Sequence, residues 1–227
     1  MDSSWIARHR YTVLLVLLLA TLGFQSFVVR TGTGGVVPDL VRSGLGLAIF
    51  FVVFERRCER AVLAAIFVGM LAIGWSRHFV PAGADSVRAL AFHVLTAAFL
   101  TAAVVVILRE LFRRTTTGAE NVLGAICGYL IAGDAWAAMN EIAFQLDPAA
   151  YSINPTLGPL LADWQGRLAL FSYYSLAQML TIGYADVTPV RAPATTLSLF
   201  STLFALFYMA VVVSQFVGLA QSRRNSD

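Results

Sequence analysis

The chain of 227 residues is 58% hydrophobic and only 13% charged, with a mean hydropathy of +0.74. A soluble domain of this composition would expose more apolar surface than solubility permits, which leaves the class of helical membrane proteins with several spans. All 16 basic residues are arginine, the net charge is +3, and the arginines sit at the ends of apolar segments rather than in one patch, so they report topology and speak against a nucleic-acid partner.

Arg8, His9 and Arg10 precede a Val- and Leu-rich run from Tyr11 to Val29. That run is longer than the ~7–15 residues of a signal-peptide core and no A-x-A site follows it, so it reads as a first spanning helix rather than a cleaved leader. A turn containing Gly and Pro follows, from Thr31 to Pro38. The second segment is expected over Leu40 to Phe54, with Arg42 near its start, where a long side chain can snorkel toward the headgroups. The charge cluster from Glu55 to Arg60 must lie outside the hydrocarbon. Ala61 to Trp75 forms a third segment, a loop with Pro81 and Gly83 follows, and Ala89 to Leu108 forms a fourth. Cys58 in the charged cluster and Cys127 in the fifth segment suggest neither a disulfide nor a metal site.

Arg109, Arg113, Arg114 and a Thr115–Gly118 linker lead to the fifth segment, Val122 to Phe144. Asp147 to Asp163, rich in Pro, Ala, Asn and Gly, reads as an extracellular or periplasmic turret. In the stretch from Trp164 to Leu180 the convincingly apolar part, Leu168 to Leu180, is too short for the ~20 residues a span requires, and fits a re-entrant helix. Thr181-Ile182-Gly183-Tyr184-Ala185-Asp186 follows, Pro189 and Pro193 are expected to break the chain, and Thr195 to Leu219 is a full span. Ten arginines lie on the side of the two termini and six on the other. The positive-inside rule then puts both termini in the cytoplasm and the chain, as a multi-pass protein, in the cell (inner) membrane.

The expected fold is thus an all-α membrane protein with six transmembrane helices, one re-entrant pore helix and a selectivity-filter loop. Residues 1–114 form a four-helix module, 115–220 a pore module, and 221–227 a short cytoplasmic tail with no soluble ligand-binding domain. A filter must aim backbone carbonyls at a dehydrated cation, which calls for a short extended segment with φ-permissive residues. A re-entrant helix ending there adds its negative C-terminal dipole, favouring a cation.

The hexapeptide resembles the filter of the potassium channel superfamily at Thr181, Ile182, Gly183, Tyr184 and Asp186. The order of outer helix, turret, pore helix, filter, Pro189 and inner helix from Thr117 to Leu219 looks like that family's pore module. With its front half, the chain resembles bacterial six-helix, single-pore-loop ion channels. The resemblance implies a homotetramer in the lipid membrane, a monovalent cation held at the carbonyls of Thr181, Ile182, Gly183 and Tyr184, and filter support from Tyr173 and Tyr174. It implies no cofactor, only permeant K+, or Na+ if selectivity is relaxed.

Three departures from the family pattern stand out. Gln178, Met179 and Leu180 precede the filter where relatives carry Thr-rich sequence, and Ala205 stands in the last helix where relatives often have a hinge glycine. Ala185 replaces the second filter glycine, and its Cβ disfavours the left-handed backbone that position adopts, by about 1–2 kcal/mol per copy. If rotation of the Ala185 carbonyl relieves that strain, the outermost ion site loosens.

The fourth segment has Arg88 and Arg109 at its ends and no charge between, so it lacks the arginine repeat of a voltage sensor. His93 within it reads as a hydrogen-bonded packing histidine. Asp134, an acid inside the fifth segment, is a candidate intramembrane polar site, either an interhelical polar contact satisfied by a neighbouring helix or a group used in gating or permeation, with Asn140 and Glu141 near the outer end of the same segment. Leu206, Met209, Val213 and Val217 share one face of the last helix and are candidates to line an inner cavity, with lipid or a neighbouring helix as the other possibility. No catalytic motif is present, so the chain is not expected to be an enzyme. The expected function is a passive cation channel for potassium. A non-selective monovalent cation channel or a non-conducting regulatory subunit are the alternatives that Ala185 keeps open. A secondary transporter fits less well, because only one broken segment is present.

Overall fold

A computed structural model describes residues 9–31, 36–54, 57–76, 78–79, 85–113, 119–162 and 164–224. The described chain is mostly helical: α1 (Arg10–Thr31), α2 (Val36–Val53), α3 (Arg57–Ser76), α4 (Asp85–Arg113), α5 (Ala119–Leu146), α6 (Trp164–Met179) and α7 (Ala192–Arg224). Four stretches are long and apolar enough to cross a membrane, namely Val36–Val53, Ser86–Arg113, Glu120–Leu146 and Ala192–Val217. Two others, Arg10–Phe24 and Arg60–Ser76, are shorter apolar lengths. The architecture is therefore of the all-helical membrane type.

The element ends have local causes. Glu120 caps α1, its carboxylate accepting from the Tyr11 N–H at 3.1 Å and the Thr12 hydroxyl at 2.6 Å, which satisfies donors that a helix start leaves open. Glu110 on α4 accepts from Arg10 and, at 2.7 Å, from the Tyr11 hydroxyl, fastening α1 to the ends of α4 and α5. Pro148 ends α5, and the Asp147 side chain accepts from the Ala149 N–H at 3.1 Å to start a 3₁₀ turn, Pro148–Ala150. Pro193 does not break the chain as expected. It occupies the second position of α7, where a missing N–H costs nothing and a fixed φ favours the first turn.

The loop expected as a turret carries regular structure. A strand β1 (Tyr151–Ile153) pairs antiparallel with β2 (Val187–Pro189), in the register Tyr151↔Pro189, Ser152↔Thr188 and Ile153↔Val187. A second 3₁₀ turn, Pro155–Leu161, is capped by the Asn154 side chain at the Thr156 N–H. This small ribbon leaves the all-α class intact, and three residues between turns are too few to show strand periodicity in the sequence.

Helix α5 is central, packing against α1, α4, α6 and α7. Its glycines permit the closest approaches. A Cβ on Gly133 would lie 2.5 Å from the Leu176 side chain of α6, and one on Gly128 would lie 2.6 Å from the Tyr208 hydroxyl of α7. One hydrophobic core runs from Tyr11 on α1 to Val212 on α7, crossing both halves of the chain. In its front part Phe67 stacks on Phe50 at 5.9 Å and on Phe99 at 5.4 Å, joining α2, α3 and α4. A smaller cluster around Tyr151, Phe171, Tyr174 and Val187 packs the ribbon onto α6. This places the end of α6 and the residues after it under tight control.

Candidate functional site

Helix α6 has 16 residues, about 24 Å at 1.5 Å per residue, short of the ~30 Å hydrocarbon layer. It ends in a Schellman turn: the Ile182 N–H donates to the Ala177 carbonyl at 2.9 Å and the Thr181 N–H to the Gln178 carbonyl at 3.0 Å. Thr181 takes the left-handed position of that turn, with φ 56°, where glycine is usual. From α5, the Tyr129 hydroxyl donates to the Met179 carbonyl at 2.8 Å and anchors the last turn.

Beyond the turn, Gly183 has φ 62° and Ala185 has φ 61°, whereas Ile182 and Tyr184 between them are not positive. Backbone that alternates between left- and right-handed φ turns successive peptide units the same way, so carbonyls gather on one side of the chain and N–H groups on the other. Among the described residues, Thr181 and Ala185 are the non-glycine residues with positive φ. The left-handed conformation is thus kept at Ala185 despite its Cβ, and its carbonyl accepts only a long 3.4 Å contact from the Thr188 hydroxyl.

The far end of the segment is held by the turret and by α6. The Asn154 N–H donates to the Asp186 carbonyl at 2.8 Å, and the Tyr173 hydroxyl donates to Asp186 Oδ2 at 2.9 Å. The Tyr173 ring stacks on Tyr184, with centroids 5.9 Å apart. Desolvation and the hydrogen-bonded Asp186 carboxylate push the Tyr173 phenol up to about 12, so it stays a donor through neutral pH. Tyr174 turns the other way. It is buried, its hydroxyl is 2.6 Å from Ser198 Oγ on α7, and it accepts from Gln178 Nε2 at 3.2 Å. Both expected supports lie beside the segment, one holding Asp186 and the other locking α6 to α7. Together with Gly183 and Pro189 they line a cavity of about 210 Å³ behind it.

Much of the segment is nonetheless bare within one chain: Ile182 is 48% and Tyr184 59% exposed. Leu206, Met209, Val213 and Val217 are likewise exposed along α7. Ala205 is buried, and α7 runs unbroken past it.

Asp134 lies away from this segment, between α5 and the front helices. It shares a cavity of about 50 Å³ with Thr21, Arg42, Thr96 and Ser172. Asn140 and Glu141, further along α5, are engaged elsewhere. Asn140 donates to Ser175 Oγ at 3.1 Å and accepts from the Tyr151 hydroxyl at 2.6 Å, while Glu141 accepts from Arg167 Nε at 2.7 Å. His93 is fully buried but not hydrogen-bonded as expected. Neither ring nitrogen has a hydrogen-bond partner among the described residues, and the Glu141 carboxylate stands 3.8 Å off. Cys127 is buried and free, whereas the Cys58 side chain lies outside the described residues. No protein-family model matches the chain, and comparison with characterised proteins finds no significant relative.

Proposed function

We propose that the chain is one subunit of a passive cation channel, a homotetramer in the cell membrane, with Thr181 to Asp186 as its selectivity filter and potassium as the permeant ion. The observation that carries this reading is the alternation of positive φ at Thr181, Gly183 and Ala185 directly after a helix too short to span. Such a ribbon offers a row of carbonyl oxygens, the ligand type suited to a dehydrated alkali cation. One chain supplies one row, and the exposed side chains beside it call for copies around an axis to close a ring. In this reading α1 to α5 and α7 are the six spans, α6 is the re-entrant pore helix, both termini are cytoplasmic, and Leu206, Met209, Val213 and Val217 face the inner cavity.

The retained left-handed Ala185 favours potassium over a non-selective pore, because the alternation of φ still holds at the alanine. The same strain favours, as a second reading, a filter that lapses into a non-conducting state, as a regulatory subunit would. Purified protein in planar bilayers decides between them. Unitary currents reversing near the potassium equilibrium potential under opposed K+ and Na+ gradients are expected. Reversal midway between the two would mark a non-selective channel, and bilayers without unitary currents would refute conduction.

A further inference from the structure

Behind α6, on the side away from the candidate filter, a column of buried polar atoms runs along one face of α5. Asp134, Glu141 and Gln145 recur there at helical spacing, over about 16 Å at 1.5 Å per residue. Asp134 Oδ1, Glu141 Oε2, Gln145 Oε1 and both ring nitrogens of His93 are buried without a hydrogen-bond partner among the described residues. Buried orphans of this kind are rare in native proteins, and several on one helical face require a common explanation. His93 and Glu141 are both fully buried, 3.8 Å apart, between α4 and α5.

The column joins two spaces. At one end Gln145, with Ser76, Arg88, Trp164 and Arg167, lines a cleft of about 560 Å³ whose rim residues Ser86, Pro148 and Ala162 are exposed. At the other end is the 50 Å³ cavity of Asp134, enough for a water molecule with polar partners on several sides. There Thr21 faces Asp134 from α1, Arg42 from α2, Thr96 from α4 and Ser172 from α6, while α3 contributes only Met70. The apolar Leu45, Ile49, Phe99, Leu100 and Leu168 make up much of the remaining lining, and among the described residues the orphaned polar atoms of α5 go no further than Asp134. His93 stands between the two spaces, beside Glu141 of α5 and near Arg167 and Trp164 of α6.

We propose that this column is a one-sided water file that admits protons from the cleft and delivers them to Asp134, a proton-binding site inside the membrane-type bundle and separate from the candidate filter. A hydronium ion at the cleft gives up its proton and is left as water. The proton moves along hydrogen-bonded water, His93 taking one on one ring nitrogen and releasing one from the other. It ends on the Asp134 carboxylate, which becomes the neutral acid beside Arg42, and no electron moves. Chains of acid and imidazole groups inside membrane helices serve this kind of relay. The inference is independent of conduction through Thr181 to Asp186.

Infrared difference spectroscopy of full-length protein, inserted in one orientation in vesicles, tests it. Acidifying the face that carries the cleft should produce a protonated carboxylic band, and acidifying the opposite face alone should not. In D₂O the band of the unaltered protein should shift promptly. Asp134→Asn should remove its main component, and His93→Phe, which fills the gap with a ring that carries no proton, should keep the protein folded and slow the shift. A missing band, a band that does not exchange, an equal response from both faces, or an unchanged Asp134→Asn spectrum would each overturn the proposal. The sidedness and exchange of the unaltered protein decide the matter even if a variant does not fold.

Discussion

Replacing Ala185 by glycine should make the protein more stable, although it removes a side chain. Ala185 holds φ 61°, a conformation that costs an L-residue roughly 1–2 kcal/mol relative to glycine. The substitution also returns about 0.4–1 kcal/mol of chain freedom to the unfolded state. The net expectation is stabilisation by about 0.5–1 kcal/mol per chain, or roughly 1–4 °C in melting temperature for a chain of this size. Gly183→Ala is the mirror perturbation. Gly183 has φ 62° and no heavy atom within 4 Å of where a Cβ would sit, so backbone strain alone should lower stability by about the same amount. Thermal unfolding of purified protein in detergent with KCl reads both. An Ala185→Gly melting point at or below that of the unaltered protein, or a stabilising Gly183→Ala, would refute the reasoning that alternating φ strains this segment.

Tyr173→Phe keeps the ring stack on Tyr184 and deletes the donor to Asp186, so folding should be unchanged while unitary openings shorten in bilayer recordings. Because the Tyr173 phenol sits up at about 12, above its ordinary value of ~10, the contribution of that neutral phenol is complete below ~10 and is lost as pH rises toward 12, a loss that Tyr173→Phe should not show in melting experiments. Arg167→Ala strands the buried Glu141 carboxylate and should destabilise by about 3–5 kcal/mol, whereas replacing both by leucine should recover most of it, as thermal melting will report. Gly128→Ala puts a methyl 2.6 Å from a Tyr208 hydroxyl tied to the Ala125 carbonyl at 2.7 Å; a loss of about 1–3 kcal/mol is expected, against almost none for Gly158→Ala, which meets nothing within 4 Å. Asn154 has φ −55°, which proline tolerates, so Asn154→Pro removes the N–H that holds the Asp186 carbonyl, and Asn154→Ala removes only the side-chain cap. Weakened K+ over Na+ selectivity is expected in the first and not the second, and equal reversal potentials would count against the turret's hold.

The long helices were legible because hydropathy blocks near bilayer length leave few alternatives, and Thr181–Asp186 was legible because it interrupts such blocks. The details that fail to show in the sequence are tertiary. Thr181 closes a Schellman turn, but threonine at that position carries none of the signal a glycine would. The β1–β2 ribbon joins Ile153 to Val187 across the whole of α6, and neither three-residue strand has a period to read. Arg167, read with the other arginines as a marker of topology, is the partner of a buried glutamate. The spacing of Asp134, Glu141 and Gln145 on one face of α5 was available, yet spacing alone does not tell whether the opposing helix brings a partner or, as His93 does, a second unsatisfied group.

The ribbon and the Schellman turn explain each other. A strained backbone persists only where its surroundings over-determine it, and Thr181 and Ala185 each hold a positive φ that their side chains disfavour. The segment between them is fixed at its start by the end of α6 and Tyr129, and at its finish by Asn154, Tyr173 and the paired strand β2. Relaxing either residue alone would move an end already committed to several hydrogen bonds. The strain at Thr181 and Ala185 is therefore held at the two ends of the segment, where those restraints act.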